Sequence, residues 1–277
     1  MLRARDTRPR RAASRVALLA HLAATRSARL AATRIVRGAR ASLRRYAARV
    51  TTLAVLTDDI TSCRRCRRLV RCREAAAADV PKRFAGQTYW RRPVPGFGDP
   101  RAALLVLGLA PAAHGANRTG RIFTGDRSGD WLYGALHRAG YANQPASTGQ
   151  GDGLALRGAY VTCVVRCAPP DNKPSPAERD RCVKFLVREL ALLEGVRTVV
   201  ALGGFAWDGF LAAARALDEE VPRPKPAFGH GAEARVGRYA LVGSYHVSQQ
   251  NTFTGKLTEP MLDAVFARAR ELSAASP

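Results

Sequence analysis

Past residue 51 the chain alternates between two hydrophobic periods. Continuous apolar runs at Ala103–Leu109 (ALLVLGL), Tyr160–Val165, Thr198–Leu202 and Tyr239–Ser244 read as buried strands. Between them, apolar residues recur at helical spacing over Gly129–Ala139, Ser175–Leu193 and Ala206–Ala214, and Met261–Leu272 closes the chain in the same way. Ser175 followed by Pro176 and Glu178 marks a helix start, with Pro at the first helical position and an acid in the first turn. Strand and helix in strict alternation predict an α/β fold. The expected architecture is a three-layer α-β-α sandwich around a central, mostly parallel four-stranded sheet, formed as one domain over residues 51–277. No internal repeat is evident.

A parallel sheet directs attention to one rim, because ligands of open α/β sheets bind outside the carboxyl ends of the strands. Those ends lead into Ala110-Pro111-Ala112-Ala113-His114-Gly115, Cys167-Ala168-Pro169-Pro170-Asp171-Asn172-Lys173-Pro174, Gly203-Gly204, and Tyr245-His246-Val247-Ser248-Gln249-Gln250-Asn251. Three of the four are rich in polar and turn-forming residues.

Composition adds a partner. The net charge is +23, carried almost wholly by Arg. The first 50 residues hold 14 Arg and one Asp, a net of +13, which leaves +10 on the remainder. That segment reads as a disordered, Ala/Arg-rich extension without chemistry. A folded part at +10 still favours a polyanion, since neutralising phosphates releases condensed counterions. No run of about 18 uncharged apolar residues exists, so no transmembrane helix is predicted. Six Cys, two of them in Cys63-x2-Cys66, suit a reducing compartment and a metal site better than a disulfide framework. The expected setting is the cytoplasm, at the nucleoid, as a monomer.

The loop after the first strand, Gly108 to Asp130, carries Gly108, Gly115, Gly120, Gly125 and Gly129 with His114, Asn117, Arg118, Arg121 and Asp126 between them. Glycine lets backbone approach a ligand closely, and its N–H groups can cradle an anion. No G-K-[ST] follows, so this is not a Walker loop.

The run Gly108–Asp126, with His246-Val247-Ser248 and Asn251-Thr252 near the end, resembles the two signature motifs of the uracil-DNA glycosylase superfamily in its type-5 (B), iron–sulfur form. The resemblance spans about residues 53–270. In the iron–sulfur branches, an N-terminal C-x2-C joins a Cys at a strand end and a fourth in the next helix. Here those are Cys63, Cys66, Cys167 and Cys182. Four thiolates suit Zn²⁺ or a [4Fe–4S] cluster, and spacing alone does not separate them. The resemblance implies [4Fe–4S]. Cys72 is then incidental and Cys163 a core thiol.

The resemblance further implies excision of uracil from double-stranded DNA, and from single strands also, to leave an abasic site. Relatives often carry a polar or acidic residue two places after the first motif Gly; here that place is Ala110. Asp126 then becomes the water-orienting, cation-stabilising carboxylate, and His246 the donor to the pyrimidine O2. Phe123 would stack on the extruded base and Asn172 read its edge. Gly108, Ala110, Pro111, His114, Asn117, Arg118, Ser248 and Asn251 would complete the base and DNA site. The loop Val247–Lys256 would press into the minor groove. Uracil-specific relatives carry an Asn where Cys163 stands, which implies a looser pocket that also takes hypoxanthine or modified pyrimidines. Two rivals stand beside this reading. A non-enzymatic nucleic-acid-binding protein with a four-cysteine zinc site explains the charge and the Cys but not the loops. An α/β hydrolase with an anion nest explains the first loop but not the Cys.

Overall fold

The computed structural model describes residues 52–274. The chain divides into two units, 1–48 and 49–277. The extension expected over residues 1–50 lies outside the described residues. The second unit carries every element named below.

The strands are β1 (Phe97–Gly98), β2 (Leu104–Gly108), β3 (Ala159–Cys163), β4 (Thr198–Leu202), β5 (Glu233–Val236) and β6 (Tyr239–Ser244). The helices are α1 (Leu53–Thr61), α2 (Arg67–Ala78), α3 (Ala116–Thr119), α4 (Arg127–Arg138), α5 (Pro176–Leu192), α6 (Gly204–Ala216), α7 (Gln249–Phe253) and α8 (Glu259–Ala274). The sheet runs β1-β3-β2-β4-β6-β5. The four expected strands are the central ones, paired in parallel from β3 to β6. The expected four-stranded sheet is corrected to six by antiparallel strands at both edges. β1 has only two residues, and β5 (Glu-Ala-Arg-Val) exposes its charged side chains, so neither shows the apolar run of a buried strand.

Side chains alternate faces along a strand, and each face of this sheet is apolar. Leu104 and Val106 of β2 pack with Leu132 and Leu136 of α4 and Leu262 and Phe266 of α8. Leu105 and Leu107 pack with Leu186 and Leu190 of α5 and Trp207 and Phe210 of α6. Helices on both faces complete the three layers, and α1 lies on α5 through Leu56, Ile60 and Phe185. The start of α5 is a capping box: Ser175 Oγ accepts from Glu178 N, and the Glu178 carboxylate accepts from Ser175 N. The same carboxylate takes a two-pronged bond from Arg68, at 2.9 and 2.7 Å, which fastens α2 to α5. From β2 the chain passes to β3 on one side, and β4 then lies on the other. The loops leaving β2 and β4 therefore diverge and open a cleft at the strand ends. Among the described residues no helix is long and apolar enough to cross a membrane.

Candidate active site

The first wall of the cleft is the loop leaving β2. Gly108 is required there: a Cβ would stand 2.6 Å from the Phe123 ring and 3.0 Å from Cys163 Sγ. Phe123 adopts a left-handed backbone (φ +51°) and is 8% exposed, its ring laid over Gly108 as a floor. Three residues on, Asp126 is the N-cap of α4, with Oδ1 accepting from Gly129 N at 3.1 Å. Its other oxygen projects over the backbone of Gly115, so near that a Cβ at Gly115 would lie 1.8 Å from Oδ2. Burial pushes the Asp126 carboxyl above the ordinary carboxylate range, against the lowering effect of the Gly129 and Ser128 amides.

The second wall follows β6. Burial pushes the His246 imidazole down to about 4, so the ring is neutral at physiological pH. Among the described residues neither ring nitrogen has a hydrogen-bond partner, whereas the backbone is pinned by Asn251 Nδ2 donating to the His246 carbonyl at 2.8 Å. The His246 and Phe123 ring centroids are 6.2 Å apart. The two walls meet again outside the floor, where the Arg127 guanidinium lies 5.0 Å over the Phe253 ring of α7. The structure thus gathers Gly108, Phe123, Asp126 and His246 at one strand-end cleft.

Other expected contacts fall elsewhere. Asn117 is fully buried, its Nδ2 donating to the carbonyls of Arg73 and Ala113, so it clamps the loop and does not face DNA. Arg118 is likewise turned inward: it donates to the His114 and Gly125 carbonyls and to Gln87 Oε1, with its guanidinium 4.1 Å over Phe84. Pro111 is buried, and Ala110 packs with the core on the α5/α6 face. Asn172 stands exposed in a left-handed turn (φ +55°) rather than on the Phe123 floor. Ser248 caps α7 without a side-chain bond, which leaves its hydroxyl unengaged at the rim. His114 borders an open groove with Arg71, Cys72 and Pro170, its Nδ1 2.9 Å from Tyr89 Oη and its ring stacked on Phe84. Phe84 ends a three-residue 3₁₀ turn (Lys82–Phe84) and Tyr89 follows it in irregular chain, so no periodicity marks either.

Cys63, Cys66, Cys167 and Cys182 line one small cavity together with Arg73 and Arg166. The C-x2-C turn brings Cys66 to the N-cap of α2 without using its side chain as a cap. Cys167 follows β3, and Cys182 lies one helical turn inside the capping box of α5. Burial pushes the Cys167 thiol up to about 11 and Cys182 up to about 12, so a bound cation would be needed to hold them as thiolates at neutral pH. Four thiols lining one cavity form a donor set that suits either a [4Fe–4S] cluster or Zn²⁺. Cys72 lies apart from them, in the groove beside His114. Cys163 is buried beneath Gly108, in the core on the α4/α8 face.

A signature loop over a strand-end carboxylate, opposed by a neutral His, defines a class: the chain belongs to the uracil DNA glycosylase superfamily, whose family profile matches residues 95–270. Within that superfamily it is similar to the type-5 uracil-DNA glycosylases. The relative from Mycobacterium tuberculosis is 54% identical over 216 residues, covering 77% of this chain and 79% of that one. Those from Mycobacterium leprae (52% identical, 79% of this chain and 94% of that one) and Thermus thermophilus (49% identical, 77% and 95%) match comparably.

Proposed function

We propose that this protein is a DNA-repair enzyme that hydrolyses the N-glycosidic bond of uracil in DNA and leaves an abasic site. The observation that carries the reading is the pairing, at one cleft, of a desolvated carboxylate, whose Oδ2 reaches over Gly115, and a neutral imidazole with no hydrogen-bond partner among the described residues. As the bond breaks, positive charge develops on the sugar and negative charge on the departing base. The Asp126 carboxylate answers the first by stabilising the cation and orienting the attacking water. Because burial disfavours its charge in the resting site, Asp126 gains most when a cation forms beside it. Neutral His246 answers the second by donating its ring N–H to the pyrimidine O2. Phe123 supplies a flat apolar floor for a base turned out of the stack. The inward-facing Cys163 leaves the floor without an amide to read uracil, in keeping with a pocket that also takes hypoxanthine. The described part's arginines favour DNA as a polyanion, double- or single-stranded.

The cysteine cavity is proposed to hold a [4Fe–4S] cluster through Cys63, Cys66, Cys167 and Cys182. When bound, such a cluster supplies a covalent staple between α2, the β3 end and α5 beside the cleft.

Incubating the protein with duplexes carrying one uracil or one hypoxanthine, followed by alkaline cleavage of abasic sites, tests the reading. Strand breakage at the uracil is expected. Binding without breakage would leave a non-enzymatic DNA-binding protein, and colourless protein with stoichiometric zinc would remove the cluster.

The seat of Asp126 gives a further prediction. In Gly115→Ala the new methyl occupies the space of Oδ2, so the carboxylate must move. Displacements of about 1 Å cost about 10²-fold in rate. Single-turnover excision should fall by about that factor while duplex affinity, measured by fluorescence anisotropy, changes less than about threefold.

A further inference from the structure

Arg73 is an anomaly on α2. It is 2% exposed, on the helix face that also buries Leu69 and Val70. Among the described residues it forms no salt bridge: the carboxylate of its neighbour Glu74 feels its charge but is bonded to the exposed Arg64, at 2.7 Å. Its Nη1 donates to Cys167 Sγ at 3.0 Å and, more weakly, to the Cys63 carbonyl at 3.4 Å, while its buried Nε has no partner. A guanidinium taken out of water without a counter-charge is strongly destabilising, and folded proteins pair such groups. Neutral thiols cannot provide that pairing. Four thiolates around a [4Fe–4S] centre can, because the assembly carries a net negative charge inside the same cavity.

We infer that Arg73 is a positioning residue for the four-cysteine site. It supplies the site's counter-charge and a hydrogen bond to the Cys167 sulfur, and so sets how readily the site accepts an electron. This role rests on the proposed [4Fe–4S] cluster. Hydrogen bonds and charge near the sulfurs are among the factors that set cluster potentials. A nearby cation stabilises the more negative, reduced form, so its presence raises the midpoint potential. Arg73 also reaches the base site. Its own carbonyl accepts Asn117 Nδ2 at 3.1 Å, and Asn117 holds Ala113, two residues before the Gly115 seat of Asp126.

The test compares wild type, Arg73→Lys and Arg73→Gln for bound iron per chain and for midpoint potential, by titration with dithionite followed by electron paramagnetic resonance. Arg73→Gln is expected to hold iron but to be harder to reduce by at least about tenfold in the one-electron equilibrium, about 59 mV. Arg73→Lys keeps the charge and should recover most of that shift. If Arg73→Gln fails to retain iron, the inference requires Arg73→Lys to retain it at the wild-type level. An unchanged potential in iron-loaded Arg73→Gln overturns the inference, as does equal loss of iron from both variants. Zinc in place of iron in the wild-type protein would instead overturn the cluster reading on which it rests.

Discussion

Asp126→Asn protein is expected to excise uracil roughly 10²–10⁴-fold more slowly than wild type, the usual scale for losing one such group, and to unfold at the same or a higher temperature. The two halves of this expectation come from one side chain. Asn caps a helix as well as Asp does, so the bond from Gly129 N to the capping oxygen survives. The substitution removes only the negative charge, which the proposed mechanism uses and which burial disfavours. The folded-state pKa of Asp126 is raised by burial. An acid with a raised folded pKa contributes stability below its unfolded pKa and loses it as pH rises through the folded value. At neutral pH the ionised group is therefore a burden that Asn relieves. The rate should have the opposite dependence: if excision uses the ionised carboxylate, wild-type activity is expected to fall on acidification at a higher pH than an ordinary Asp would set. Asp126→Asn should lose that acid limb. Single-turnover rates across pH, with thermal melts of both proteins, check each half; near-wild-type turnover by Asp126→Asn would move the role to another group.

Removal of the His246 imidazole should slow uracil excision by about 10²–10³-fold, the scale of one oxyanion-type donor. Hypoxanthine has no O2, so its excision by His246→Ala should fall much less. The wild-type ring is neutral down to about pH 4, so protonation of His246 does not shape the rate at neutral pH. Equal losses on uracil and hypoxanthine would take the O2 contact away from His246.

The central sheet was legible because each strand is buried on both faces and therefore continuously apolar. Thr198–Leu202 and Tyr239–Ser244 match the expected bounds residue for residue. The edges were not, since a two-residue β1 and a half-polar β5 leave no periodic trace. The loop chemistry divides along the same line. Asp126 and His246 adjoin regular elements whose ends could be read, and the structure seats both at the cleft. Asn117 and Arg118 look from the sequence like outward recognition groups; the fold turns them inward because the loop's own carbonyls need donors that only distant residues supply. Arg73 carried a faint signal, seven residues after Cys66 on the buried stripe of its helix. An arginine in a run rich in arginine gives no reason to look twice.

Arg118 joins the His114 carbonyl to that of Gly125, so the loop is cross-braced across its own mouth. A chamber held open in this way has little ordering left to do when its guest arrives. The work of admission then falls on the duplex, which must unpair and unstack the target nucleotide, and that work is least where the base is already mispaired. If the doorway is as rigid as this bracing implies, selection becomes a reading of local helix weakness, and a uracil facing guanine is expected to be excised faster than one facing adenine.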